Sequence, residues 1–287
     1  MLPRITLVLT CIGVLSLWNL LRAQQPFREW PAIEYENFKL PPDYQNDAEW
    51  VRARLRYPDI YGYPNDTRVR LNDGRPFPGY WTMDYPRSDR HLLLGIRRLT
   101  RIDTRSVEQV VSLDGTDDIY NFPAAYAVEV GHWDLPEKEA GQLREYLMRG
   151  GFLMVDDFHG SNARENDGLN EWEMFTDSLS RVFPGRQIQD IPNSDAIFHT
   201  VSDLTERFQV PGAQYFETGR TYEKGDSGKE PHWRAVRDDN GRIVVAIFHN
   251  MDLGDAWEVS DEPRYPEKWA SLAYRIAVNY FIYDLSH

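Results

Sequence analysis

Apolar residues recur at helical spacing over residues 88–99, where Leu92, Ile96 and Leu99 share a face and Ser88 is placed to cap the first turn. Beyond that stretch the period switches. Residues 107–113 and 124–130 read as strands, and Asp134-Leu-Pro-Glu137 reads as a capping box opening a helix with Ala140, Leu143 and Leu147 on one face. Gly150-Gly151 closes that helix, and the continuous apolar run 152–155 follows at once, as expected of an inner parallel strand covered on both faces. Asn170 and Glu173 form a second capping box for a helix carrying Trp172, Phe175, Leu179 and Val182, ended by Pro184-Gly185. Residues 233–236 and 243–248 flank Asn240-Gly241, the strongest local hairpin signal, and Pro266 opens a last helix burying Trp269, Leu272, Ile276 and Tyr280.

Strands alternating with helices predict an α/β domain over residues 49–287: a mostly parallel sheet with helices on both faces and a C-terminal antiparallel hairpin. Ahead of it, residues 24–48 carry Pro26, Pro31, Pro41 and Pro42 without periodicity, so they read as an extended leader or linker that builds no core. In the strand expected over 49–57, Arg52, Arg54 and Arg56 alternate with Val51, Ala53 and Leu55, the pattern of a solvated face. Residues 58–86 read as a long irregular loop.

Residues 1–23 have the form of a secretory signal: Arg4, then an apolar run to Leu21, then Arg22-Ala23. The run is short for a membrane span of roughly 20 apolar residues, so the expectation is an exported protein, periplasmic or extracellular, that meets a membrane only if this segment is retained. The single cysteine, Cys11, lies inside the run, so the processed chain has none and folds without disulfides. Losing Arg4 and Arg22 and no acid takes the formal charge from −13 to −15. So acidic a domain disfavours nucleic acid as a partner and leaves a small polar ligand or an envelope protein.

Ligands in open α/β sheets bind beyond the carboxyl ends of the strands. There stand His132, the elbow Asp156-Asp157-Phe158-His159, His249, and then Asp252, Asp255 and Trp257, although the chain has only seven histidines. Carboxylates and imidazoles on one edge suit a divalent metal or general acid–base chemistry, and Trp257 suits stacking on a sugar ring. Of the two acids at the elbow, Asp157 is expected to enter the pocket and Asp156 to meet a loop or helix end. The Asp-Asp pair resembles that of polysaccharide deacetylases, but no two histidines have the His-x-x-x-His spacing of that family. A Gly-x-Ser-x-Gly elbow and a phosphate-binding loop are both absent from the sequence. Two readings stay open: non-catalytic binding of a small polar or carbohydrate ligand or an envelope partner, and metal-assisted hydrolysis of a carbohydrate-type substrate.

Five blocks, Ala53-Arg-Leu-Arg-Tyr57, Thr82-Met-Asp-Tyr-Pro86, Gly150-Gly-Phe-Leu-Met-Val-Asp-Asp157, Ala196-Ile-Phe-His199 and Asp252-Leu-Gly-Asp-Ala-Trp-Glu258, occur in an order that resembles the bacterial family called domain of unknown function 4159. The resemblance implies a flavodoxin-like fold related to class I glutamine amidotransferase-like and trehalose-utilisation-type domains. Where amidotransferases place their cysteine nucleophile this chain has Asp156 and Asp157, so glutaminase activity does not carry over.

Overall fold

The computed structural model describes residues 26–62, 69–165 and 168–287; the secretory-type segment 1–23 and Cys11 lie outside them. Seven strands form one sheet: β1 (Ala53–Arg56), β2 (Gln109–Ser112), β3 (Ala124–Val128), β4 (Phe152–Asp156), β5 (Gln189–Asp190), β6 (His232–Arg237) and β7 (Ile243–His249). Their order is β2-β1-β3-β4-β7-β6-β5. The first five in that order are mutually parallel, and β6 and β5 add an antiparallel margin, so the sheet is mixed and mostly parallel. The order 2-1-3-4 is that of doubly wound sheets, in which the chain reverses direction of growth between β1 and β3.

Among the described residues six helices accompany it: α1 (Arg87–Leu99), α2 (Glu137–Met148), α3 (Glu171–Val182), the single turn α4 (Tyr215–Thr218), α5 (Leu253–Glu258) and α6 (Glu267–Ser286). Because successive side chains of a strand point to opposite faces, β3 and β4 feed two cores. Tyr126, Val128, Phe152 and Met154 pack with Leu92, Ile96, Trp257 and Ile276 on one side. Ala125, Ala127, Leu153 and Val155 pack with Leu143, Leu147, Phe175 and Leu179 on the other. Each buried Val, Leu, Ile, Phe or Met side chain contributes about 1.5–3 kcal/mol by leaving water, which is why five-residue strands covered on both faces are stable here. Among the described residues no helix is long and apolar enough to cross a membrane.

The hairpin signal and the last helix are present: β6 and β7 pair antiparallel around Gly241 at φ 85°, and α6 follows Pro266 with Trp269, Leu272, Ile276 and Tyr280 buried. Asn170 caps α3, its side chain accepting the Glu173 amide at 3.1 Å. Two other expected caps are not made. Helix α1 begins after Pro86, which leaves Ser88 buried inside the first turn, and Leu99 at its end is exposed. Helix α2 begins after Pro136, whose fixed φ sets the start, so Asp134 lies too early to cap and pairs with Arg181 at 3.0 Å.

Arg52 and Arg54 are not a solvated face; they are 1% and 0% exposed. β1 lies between β2 and β3 with both sides covered, and the two guanidinium groups converge on the Asp89 carboxylate of α1, each at 2.8 Å. Nor is the stretch before β1 without a core. Residues 26–48 form no helix or strand, but Ala32 is buried and Trp30 and Tyr35 pack against the α2–α3 side.

Candidate functional site

Among the described residues five non-glycine positions hold left-handed backbone, all at the carboxyl edge of the sheet or beside it: Asp84 (φ 59°) just ahead of α1, Glu129 (53°) after β3, Asp157 (53°) after β4, Lys224 (55°) next to Glu223 and Asn250 (63°) after β7. Each costs on the order of 1 kcal/mol, and such strain persists where the surroundings over-determine it, most often at functional sites. The polar side chains these turns redirect are Asp84, Asp157 and Asn250, 2%, 7% and 0% exposed.

The two acids of the elbow part company. Asp156 is wholly buried, and its Oδ2 accepts the Leu253 and Gly254 amides at 2.7 and 3.0 Å and the Tyr126 hydroxyl at 3.1 Å, so it meets the start of α5. Burial pushes this carboxyl up to about 7 against those donors. Asp157 turns the other way, to His159 Nε2 at 3.1 Å, and Glu223 Oε1 stands 3.8 Å from the same nitrogen. Burial lowers the His159 imidazole, but Glu223 and the Asp157 hydrogen bond and charge override it and push it up to about 10. His159 therefore favours its protonated form between the Asp157 and Glu223 carboxyl groups. Burial and then the Glu129 charge hold Asp157 well above the ordinary carboxylate range.

His132 Nδ1 stands 2.8 Å from Glu129 Oε2 as an ion pair, and its ring stacks on Tyr80 at 3.9 Å between centroids. Burial opposes its protonation and the Glu129 hydrogen bond and charge favour it, with a net upward shift. His249 is in an apolar setting between Phe158 and Trp172, its Nε2 3.2 Å from the Gly160 carbonyl, and burial pushes it down to about 3. It is neutral.

Asp252 and Asp255 belong to a second group. Asp252 caps α5, its Oδ1 accepting the Asp255 amide at 2.7 Å, and Asp255 Oδ2 accepts the Ala213 amide at 2.5 Å. One oxygen each from Asp84, Asp252 and Asp255 lie within 4.8 Å of one another, and Asp84 also forms such a group with Glu34 and Glu258. Glu34 accepts the Asp84 amide at 2.9 Å, and Tyr35 donates its hydroxyl to Glu258. Burial and the Asp255 charge push Glu34 up to about 7 and Glu258 up to about 8. Among the described residues, none of the ion pairs reaches these five acids.

Trp257 cannot stack on a sugar. It is 0% exposed, in edge contact with Tyr126 and under the Arg52 guanidinium at 4.9 Å, because the short helix α5 turns this position into the core. Sequence reasoning passed over Glu34, Asp84, Glu129 and Glu223, which come from irregular segments or turns with no periodicity to mark them; only Asp84 falls in a block that the sequence singles out, Thr82-Met-Asp-Tyr-Pro86. The two large surface hollows, about 660 Å³ beside α3 and about 590 Å³ between α1 and α6, lie away from the acidic edge.

Comparison with curated proteins gives no match. A family model described as Domain of unknown function (DUF4159) matches residues 67–285, which hold Asp84, the strands β2 to β7 and every histidine and carboxylate of the site except Glu34, and the chain belongs to that family.

Proposed function

We propose that this chain is an exported binding domain whose carboxyl edge takes a small, hydroxyl-rich ligand of carbohydrate type without transforming it. Export rests on the pattern of residues 1–23. The observation that carries the binding reading is the Asp157–His159–Glu223 clasp, a buried cation held between two hydrogen-bond acceptors at a strained turn. General acid–base catalysis is most efficient with a group that titrates near the working pH. The two imidazoles, His159 at about 10 and His249 at about 3, stand far to either side of neutrality, whereas the carboxyls nearer to it, Asp156, Glu34 and Glu258, belong to the start of α5 and to the second acidic group and not to the clasp. Fixed charges of this kind orient hydroxyl groups well and exchange protons poorly. An aromatic face is at hand in Tyr61, 43% exposed and stacked on Tyr80, which stacks in turn on His132.

Titration calorimetry against a panel of mono- and oligosaccharides tests this. At least one should bind the wild type, Asp157→Asn should abolish the heat with the fold intact, since Asn keeps the volume and tolerates a left-handed turn, and Tyr61→Ala should weaken it about tenfold, the scale of one aromatic contact. Turnover of acetylated sugars or chromogenic glycosides by the wild type, lost in Asp157→Asn, would establish the metal-assisted hydrolase in its place.

A further inference from the structure

Beside the clasp, two loops come together over the start of α5. The Asp252 amide bonds the Val210 carbonyl at 3.0 Å, the Gln209 side chain bonds the Asn250 carbonyl at 2.8 Å, and the Ala213 amide bonds Asp255. Gly212 stands at the crossing. A methyl group there would lie 2.2 Å from Asp252 Oδ2, 2.5 Å from Asp255 Oδ2 and 2.9 Å from Gln214 Oε1, so three side-chain oxygens converge on a bare backbone. Across from them Asp84, 2% exposed, has an Oδ2 shut from water with no hydrogen-bond donor, and on half-buried Gln214 both Oε1 and Nε2 are shut from water and unmatched.

A buried acceptor without a donor costs about 1–3 kcal/mol, and more when it is charged. Here Asp84 Oδ2 and Gln214 Oε1 are in that state beside the Asp252 and Asp255 carboxylates, and among the described residues no ion pair reaches these acids, the Arg54 guanidinium being bonded to Asp89, Trp81 and Met83. We propose that Asp84, Asp252 and Asp255, with the Gln214 amide oxygen, form a site for one hard divalent cation of the calcium class. The donor set is oxygen alone, three carboxylates and an amide, which favours calcium or magnesium over zinc or copper. The neighbouring Asp157–His159–Glu223 group differs in already containing its own cation. Glu34 and Glu258 flank Asp84 and add negative charge behind the ligands. The site uses other residues than those assigned to the polar ligand, so either reading can fail alone.

The test is calcium chloride, and separately magnesium chloride, added to the whole processed chain after treatment with a chelator. Calorimetry should show one calcium per chain with Kd in the range of about 0.1–1 mM found for extracellular calcium modules. At about a hundredfold excess over Kd the melting temperature should rise by about 5–10 °C. Asp84→Asn and Asp255→Asn should each weaken binding at least tenfold, while His159→Gln should leave it unchanged. Absence of heat and of any thermal shift with calcium, magnesium and manganese at 10 mM would overturn the site, as would undiminished binding in both Asn variants. Should either variant fail to fold, the stoichiometry and shift of the wild type decide alone.

Discussion

Two charged centres lie within a few residues of each other on the α1 side of this molecule, and they are built on opposite principles. At the first, Arg52 and Arg54 of the β1 region meet the single carboxylate of Asp89, while Arg90 meets Glu108 at 3.4 Å. At the second, Asp84, Asp252, Asp255, Glu34 and Glu258 meet one another. Arg52, Arg54 and Asp89 are buried, as are Asp84, Asp252 and Glu258, while Asp255 is half-buried and Glu34 exposed; only the first centre is compensated from within the chain. The contrast teaches how to tell a structural charge from a functional one: burial alone does not separate them, whereas the presence or absence of a built-in partner does.

The largest effect should come from breaking the compensated centre. Asp89→Ala strands two buried guanidinium groups and should lower unfolding free energy by about 3–5 kcal/mol, read as the urea midpoint. A loss below about 1 kcal/mol would show that water reaches Arg52 and Arg54 and that the first centre is not the closed one described. Next in size, Gly212→Ala drives a methyl group into the oxygens of Asp252 and Asp255 and should cost about 1–3 kcal/mol, the usual scale of overpacking, together with most of any calcium affinity. Unchanged stability in the Gly212→Ala variant would mean that those oxygens are free to move apart.

The smallest effect concerns pH and sharpens the distinction between the clasp and the bare acids. His159 is raised from its ordinary 6.5 to about 10 by Glu223 and Asp157, so its contribution to stability is fully present below about pH 6.5 and is lost as pH rises through about 10. The upward shift of Asp157 acts in the same direction, since a raised carboxyl also favours the folded state at lower pH. The melting temperature of the wild type relative to His159→Gln should therefore be highest at pH 6 and converge with it by about pH 10. A gap that widens with pH would remove the imidazolium from the account.

The sheet was readable because its inner strands are continuous apolar runs and its helices keep a 3.6-residue period, and the hairpin because Asn240-Gly241 leaves few alternatives. Asp156, Asp157, His159, Asp252 and Asp255 were readable as candidates because they follow strands directly. Alternation misled at Arg52 and Arg54: a polar face looks the same in sequence whether water or a facing Asp89 satisfies it. At Trp257 proximity to other candidates misled, since the turn of α5 sends neighbouring residues in opposite directions. Glu34 and Asp84 were beyond reach for another reason. They are delivered by segments that have no secondary structure and are held in place by contacts distant in sequence, and no local pattern encodes those contacts.

The hydrogen bond from Tyr35 to Glu258 joins positions 223 residues apart. Contacts of that span form late in folding, because the intervening chain must be gathered before its ends can meet. A polypeptide emerging amino end first displays Tyr35 and Glu34 long before residue 258 exists to receive them. The acidic edge therefore cannot close before residue 258 has been made, and until it does its carboxylates remain in water, where mutual repulsion is weak.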